Sequence, residues 1–306
     1  MKHVVSVSLG TSKRDKRHEC EILGEQFLIE RRGTDGDRTK FKALMEELDG
    51  KVDALGVGGA DIWLATETKR YAFREILALI SGVKQTPVVD GSGLKHTLER
   101  ATIERLQATG TLDFETEKVL LVSAVDRFGM AQALDKVCPH VVYGDFLFGF
   151  GINLPIRNYK TVTRLANILL PIVTKLPFQW FYPTGEKQEE RKPKFPKVFE
   201  EATVIAGDWL YIGRYAPDKL PDKTIITNTL RKANIEWLRS TGARRAITTT
   251  PAMGGETFAT NVMEGVLLSL IGKTQKDVTD KDYLAKLEEL AWEPNVIDLR
   301  ERVATT

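Results

Sequence analysis

Cysteine is nearly missing from this sequence: Cys20 and Cys138 are its only two, far apart in the chain. Two isolated thiols cannot furnish a zinc site by themselves, and they read as small buried side chains rather than a bridge. A surplus of one charge is missing too. The 44 basic and 42 acidic residues leave a formal net charge of +2, so no field draws the whole molecule onto nucleic acid or anionic lipid. Long hydrophobic runs are absent, since a stretch such as Ile168 to Val173 is far short of a membrane span of ~20 residues. The opening MKHVVSVSLGTSKRDK has a short apolar run followed by charge, without the apolar core and cleavage site of a signal peptide. These absences set the expectation of a cytoplasmic protein with no nucleic-acid partner, no membrane partner and no metal. What is present, 306 residues with 42% hydrophobic and 28% charged, is ordinary globular composition with room for two domains.

The chain alternates strand and helix signals. His3 to Leu9, Gln26 to Arg32, Val52 to Gly59 and Thr86 to Gly93 read as strands or strand-and-turn segments. Arg38 to Leu48, Tyr71 to Ile80 and Leu94 to Thr109 read as helices, the first from Phe41, Leu44, Met45 and Leu48 at helical spacing. After the short polar stretch Thr109 to Lys118, six more strands are expected: Val119 to Ala124, His140 to Gly144, Phe178 to Tyr182, Thr203 to Ala206, Thr224 to Thr227 and Ala246 to Thr249. Helices are expected over Gly129 to Val137, Tyr159 to Lys175, Arg231 to Ser240 and Thr257 to Ile271. Regular alternation of this kind predicts an α/β protein with mainly parallel sheets. The expected division is a substrate-binding α/β domain over 1–112 and a doubly wound, Rossmann-like parallel sheet over 113–275. A C-terminal helical segment over 276–306 would pack back. Gly185 to Lys197, charged and proline-bearing, reads as a solvated connector.

Glycine is scarce where a dinucleotide would need it. In Ser123–Ala124–Val125–Asp126–Arg127–Phe128–Gly129, the strand-to-helix turn keeps only Gly129. Ser123 is small and can bond a phosphate, whereas Val125 branches where a phosphate oxygen would approach. Asp126 has two readings, as a cap for the following helix or as part of a nucleotide turn. Asp145 ends the next strand, 22 residues after Ser123, close to the spacing of a carboxylate that grips a ribose hydroxyl. With no basic neighbour it favours NAD over NADP. The later strand ends add Asp208, Asn228 and Thr249 as cofactor-binding candidates, and each could equally cap a helix or make a turn.

Oxidising a hydroxyl needs a group to take its proton. Lys95, in DGSGLK, is the candidate, with Asp90 as its carboxylate partner and Ser92 beside it to hold substrate; a surface lysine in an ordinary first helical turn is the competing reading. Ser8 and Thr11, after the first strand, are further substrate-binding candidates, set against a solvated basic loop.

The segments KHVVSVSLGTSKRDK, GTDGD, TPVVDGSGLKHTLER and TTTP with TNVMEG resemble bacterial proteins labelled quinate 5-dehydrogenase, a quinate/shikimate dehydrogenase-like group. That resemblance implies an NAD(P)-linked oxidoreductase converting quinate to 3-dehydroquinate, with a substrate domain ahead of a Rossmann domain. Ser6 and Ser8 resemble the serine pair that holds the substrate carboxylate. The expected function is therefore a nicotinamide-dependent dehydrogenase of a small hydroxylated acid, with a homodimer as the candidate assembly. Two other readings fit the same residues. One is a non-catalytic nucleotide sensor, which explains the missing glycines. The other is a nucleotide-sugar-dependent transferase, with TTTPAMGG as its phosphate turn.

Overall fold

Val4, Val5, Ser6, Val7 and Ser8 are buried one after another, the signature of a strand covered on both faces. They belong to β1 (Lys2–Ser8), the centre of a five-stranded sheet in the computed structural model, which describes residues 1–66, 69–182, 185, 190–250, 252–253 and 256–300. The chain divides into two units. Unit 1 comprises Met1–Thr97, Leu165–Gln188 and Ala252–Trp292; unit 2 comprises Leu98–Arg164, Glu189–Pro251 and Glu293–Thr306. The boundaries expected at 112 and 275 do not coincide with these units. Residues 98–112 lie in unit 2, and residues 252–292 return to unit 1.

In unit 1, β1 is followed by β2 (Lys16–Ile22), β3 (Glu25–Gly33), α1 (Arg38–Leu48), β4 (Ala54–Gly58), the small ribbon β5 (Trp63–Ala65) and β6 (Arg70–Ala72), α2 (Arg74–Ile80) and β7 (Val88–Val89). The sheet runs β2-β3-β1-β4-β7, with β3, β1, β4 and β7 parallel. Strand β2 was not expected. Its sequence KRHECEI alternates half-buried and exposed residues, as suits an antiparallel edge facing water. Helix α3 (Ser92–Ala108) then begins, and its last residue in unit 1 is Thr97.

Unit 2 holds a six-stranded sheet. Its elements are β8 (Val119–Leu121), α4 (Phe128–Val137), β9 (Val141–Tyr143), a π turn at Asp145–Gly149, α5 (Tyr159–Val173, which passes into unit 1 at Leu165), α6 (Pro196–Glu201), β10 (Val204–Ala206), α7 (Trp209–Tyr215), β11 (Thr224–Thr227), α8 (Lys232–Ser240) and β12 (Arg245–Thr248). The hairpin β13 (Ala252–Met253) and β14 (Glu256–Thr257), α9 (Thr260–Ile271) and α10 (Asp280–Glu289) belong to unit 1, and β15 (Asn295–Asp298) completes the sheet of unit 2. Leu120, Ile205, Ile225, Ala246 and Ile297 are register neighbours across the strands. They form one apolar row, packed with Phe199 of α6, Ile212 of α7 and Leu238 of α8.

Two expectations about this sheet are corrected. Phe178 to Tyr182 is not a strand: Phe178–Trp180 is a single 3₁₀ turn of unit 1, anchored by Phe178 N donating to Glu75 Oε2 at 3.1 Å. The sixth strand is β15, from the tail in which only a helical segment was expected to pack back, and it pairs antiparallel with β12. The parallel strands run β9-β8-β10-β11-β12. In chain order this is 2-1-3-4-5, not the 3-2-1-4-5-6 of the dinucleotide fold.

Candidate functional site

In open parallel sheets, ligands meet the chain at the carboxyl ends of the strands. In unit 2 those ends carry Ser123 to Arg127, Asp145, Asp208, Asn228 and Thr249. Asp145 turns inward. Gly144 precedes the π turn, where a Cβ would meet the Phe148 ring at 2.6 Å, so only glycine lets the chain bend there. The Asp145 carboxylate accepts the amides of Ala124 at 2.9 Å and Val125 at 3.0 Å, with Ser123 Oγ 3.4 Å away. Those amides are the donors that a pyrophosphate would need. Burial pushes the Asp145 carboxyl above the usual carboxylate range, although the two amides pull it down. The residue expected to grip a ribose instead fills the phosphate turn, so the residues present do not fit an adenine dinucleotide here.

Asp126 is not the capping residue of α4. Arg127 is the N-cap residue of α4 and makes no side-chain cap, while Asp126 Oδ2 accepts Arg127 Nε at 3.1 Å. Arg127 is 2% exposed, and its guanidinium also donates to Glu99 and to Asp208. Asp208 caps α7 by accepting Leu210 N at 2.7 Å, and it takes Asn228 Nδ2 at 3.2 Å. Asn228 Oδ1 accepts Thr227 Oγ1 at 3.1 Å and Trp209 N at 3.3 Å. One bonded network therefore joins the ends of β8, β10 and β11. Thr249 donates its main-chain N to Thr227 O at 2.9 Å, and Gly129 is buried in the first turn of α4. Sequence reasoning missed Arg127 and Glu99. Two of the arginine's acidic partners lie 28 and 81 residues away, so no local pattern marks it as buried. Among the described residues, no group of His, Cys, Asp and Glu is arranged to hold a metal.

In unit 1 the expected residues are split between separate contacts. Lys95 Nζ donates to Asp61 Oδ1 at 2.6 Å, and Tyr182 donates to Asp61 Oδ2 at 2.8 Å. Lys95 and Asp61 are both 7% exposed. The lysine's carboxylate partner is thus Asp61, which sequence reasoning missed, and not Asp90. Asp90 accepts the amides of Ile62 at 2.7 Å, Trp63 at 2.9 Å and Ser92 at 3.0 Å, so it binds main chain at the start of α3. Ser8 Oγ accepts Arg31 Nη2 at 3.0 Å, and the Thr11 carbonyl accepts Arg31 Nη1 at 2.9 Å. Ser6 Oγ accepts Asn261 Nδ2 of α9 at 2.7 Å. The serines expected to hold a substrate carboxylate are bonded within unit 1 itself.

No curated protein matches the sequence. Solved structures of similar layout include a periplasmic solute-binding protein of an ABC transporter from Actinobacillus succinogenes 130z with bound D-allose, at 11% identity and a TM-score of 0.35, covering 98% of this chain and 98% of that one. A glucose-galactose binding protein from Geobacillus stearothermophilus has 11% identity, a TM-score of 0.37 and 98% coverage of both chains. An arabinose-binding protein from Shewanella sp. ANA-3 has 13% identity and a TM-score of 0.34, covering 94% of this chain and 95% of that one. These values mark a likeness too loose to transfer a ligand or a site.

All three are sugar-binding proteins, where the sequence had implied a quinate or shikimate oxidoreductase. The reading as a nicotinamide-dependent dehydrogenase is corrected here, and its physical failure lies in the Asp145 plug and in a lysine paired away from its expected partner. The sensor and transferase alternatives needed the same open phosphate turn in unit 2 or the segment TTTPAMGG. Pro251, Gly254 and Gly255 of that segment lie outside the described residues. Among the described residues, no helix is long and apolar enough to cross a membrane. Residues 3–90 match a family model described as a domain of unknown function (DUF8753). Residues 93–299, well over half of the sequence, match another described as a domain of unknown function (DUF8754), and the chain belongs to that family.

Proposed function

We propose that this protein binds a small, uncharged, polyhydroxylated molecule at the strand ends of unit 2. The supporting observation is the Asp208–Asn228 pair, a carboxylate and an amide 3.2 Å apart on neighbouring strand ends, both only half-buried. A carboxylate beside an amide offers the mixed acceptors and donors that vicinal hydroxyls use. Both side chains are held in place, by Arg127 behind Asp208 and by Thr227 beside Asn228, so a ligand would meet a preorganised pair. Trp209, half-buried and edge-on to Trp237 at 5.8 Å, adds an apolar face next to them.

Charge selects the ligand class. Asp208 presents a carboxylate at the strand ends, with Glu99 and Asp126 gathered behind it on Arg127. A carboxylate or phosphate ligand would be repelled, which disfavours hydroxy acids such as quinate. Titration calorimetry with neutral monosaccharides and polyols, against quinate and inorganic phosphate, tests the reading. Binding of a neutral polyol is expected, weakened at least ~10-fold (about 1.4 kcal/mol) by Asn228→Ala with the fold intact. Heat from quinate or phosphate alone would reject it.

A further inference from the structure

The turn Asp90–Gly93 joins β7 to α3 and lies where the two family models meet. Two buried carboxylates serve this one turn. Asp90 takes three main-chain amides, as described above. Glu264, from α9, takes two more: Gly91 N donates to its Oε2 at 2.6 Å and Gly93 N to its Oε1 at 3.1 Å. Tyr283 of α10 donates its hydroxyl to the same Oε1 at 3.1 Å. The space is closed around this arrangement. A Cβ on Gly93 would lie 2.5 Å from Glu264 Oε1 and 2.7 Å from the Tyr283 ring, and Gly91 has a φ of +92° with the main chain of α9 against it. Glu264 is 5% exposed and Tyr283 3%, so water does not compete for these bonds.

We propose that Glu264 is a protonation-dependent clamp on the start of α3, holding the turn most firmly when it carries its proton and loosening when it loses it. The charged and titratable groups that bear on it are Asp90, Tyr283 and, through Tyr283, Arg70. Asp90, on the turn, opposes its charge; Tyr283, on α10, bonds it; Arg70, on β6, acts on Tyr283. A neutral Glu264 still keeps lone pairs for the Gly91 and Gly93 amides and for the Tyr283 hydroxyl. An ionised Glu264 places a second buried negative charge beside Asp90. Burial first, and then Asp90, push its carboxyl from 4.5 up to about 7.

The sign of the effect follows from linkage. The folded state holds this proton more tightly than the unfolded chain, so the stabilisation is complete below pH 4.5 and is lost as pH rises through about 7. Thermal melts of the whole chain between pH 5.5 and 8.5 test it, alongside hydrogen exchange at Gly91 and Gly93 corrected for intrinsic rates. The wild type is expected to lose roughly 3–6 °C of Tm over this range relative to Glu264→Gln, with faster exchange of both amides at the upper end. Tyr283→Phe removes a bond that favours the ionised form, so it should move the transition to higher pH. Parallel melts for wild type and Glu264→Gln, or protection that grows with pH, would overturn the clamp. If Glu264→Gln does not fold, the direction of the Tyr283→Phe shift and the exchange profile of the wild type decide it.

Discussion

At the scale of single residues, several buried charged groups of this chain bond to its own side chains and main chain. Arg127 is the extreme case, a guanidinium bonded to Glu99, Asp126 and Asp208 with almost no exposure. Removing it takes the shared cation from Glu99, Asp126 and Asp208 in a poorly solvated place, and breaking a buried ion cluster is far costlier than losing an exposed contact. Arg127→Ala is therefore expected to lower the unfolding free energy by about 3–5 kcal/mol in urea denaturation. A change within the noise of the melt would mean that water reaches the cluster. Asp145 and Glu264 show the same habit in the two units: each lays a carboxylate on two main-chain amides of a strand-to-helix turn. Where a phosphate turn holds a ligand anion, these two turns hold the chain's own carboxylates.

Among the elements, the helices were the more legible in sequence and the strand edges the less so. Helix α1 shows why. Phe41, Met45 and Leu48 face inward at helical spacing, and Asp37 caps it by accepting Lys40 N at 2.9 Å. Asp37→Ala should cost about 1 kcal/mol in a chemical melt, and no loss would show that solvent replaces the cap. Strand β2 carried no such signal, because an edge strand buries little and its charged alternation looks like a loop. Strand β15 was hidden for a related reason. Asn295, Val296 and Asp298 are exposed or nearly so, and its pairing partner β12 lies some fifty residues earlier in the chain. Phe178 to Tyr182 misled in the opposite direction: aromatic residues with high strand propensity form a 3₁₀ turn because Phe178 is buried and tied to Glu75.

At the scale of the whole molecule, each unit is assembled from three separated stretches, and this bears on which pieces can fold. Helix α9 packs on β1, β4 and β7 although it lies more than 170 residues beyond the last of them, with Gly265 set where a Cβ would lie 2.9 Å from Val4 Cγ1 and 3.3 Å from Ala54 Cβ. A fragment of residues 1–112 leaves that sheet uncovered. It is expected to give no cooperative transition by circular dichroism, whereas the full chain does. A sigmoidal melt of the fragment would show that α9 is dispensable.

Periodicity by itself determined that this chain is α/β, because runs of buried β-branched residues and 3.6-residue stripes are local facts that short-range geometry enforces. It also marked Ser123, Asp145, Asp208 and Asn228 as strand-end polar groups, and they stand there. What each of them does was decided only in three dimensions. A carboxylate in a turn can face a ligand or face the turn, and the choice depends on burial and on partners such as Arg127, Asp61 and Glu264 that arrive from distant stretches. Electrostatic partnership is a property of space, not of spacing, and so the chemistry of the site became readable only once the chain had folded.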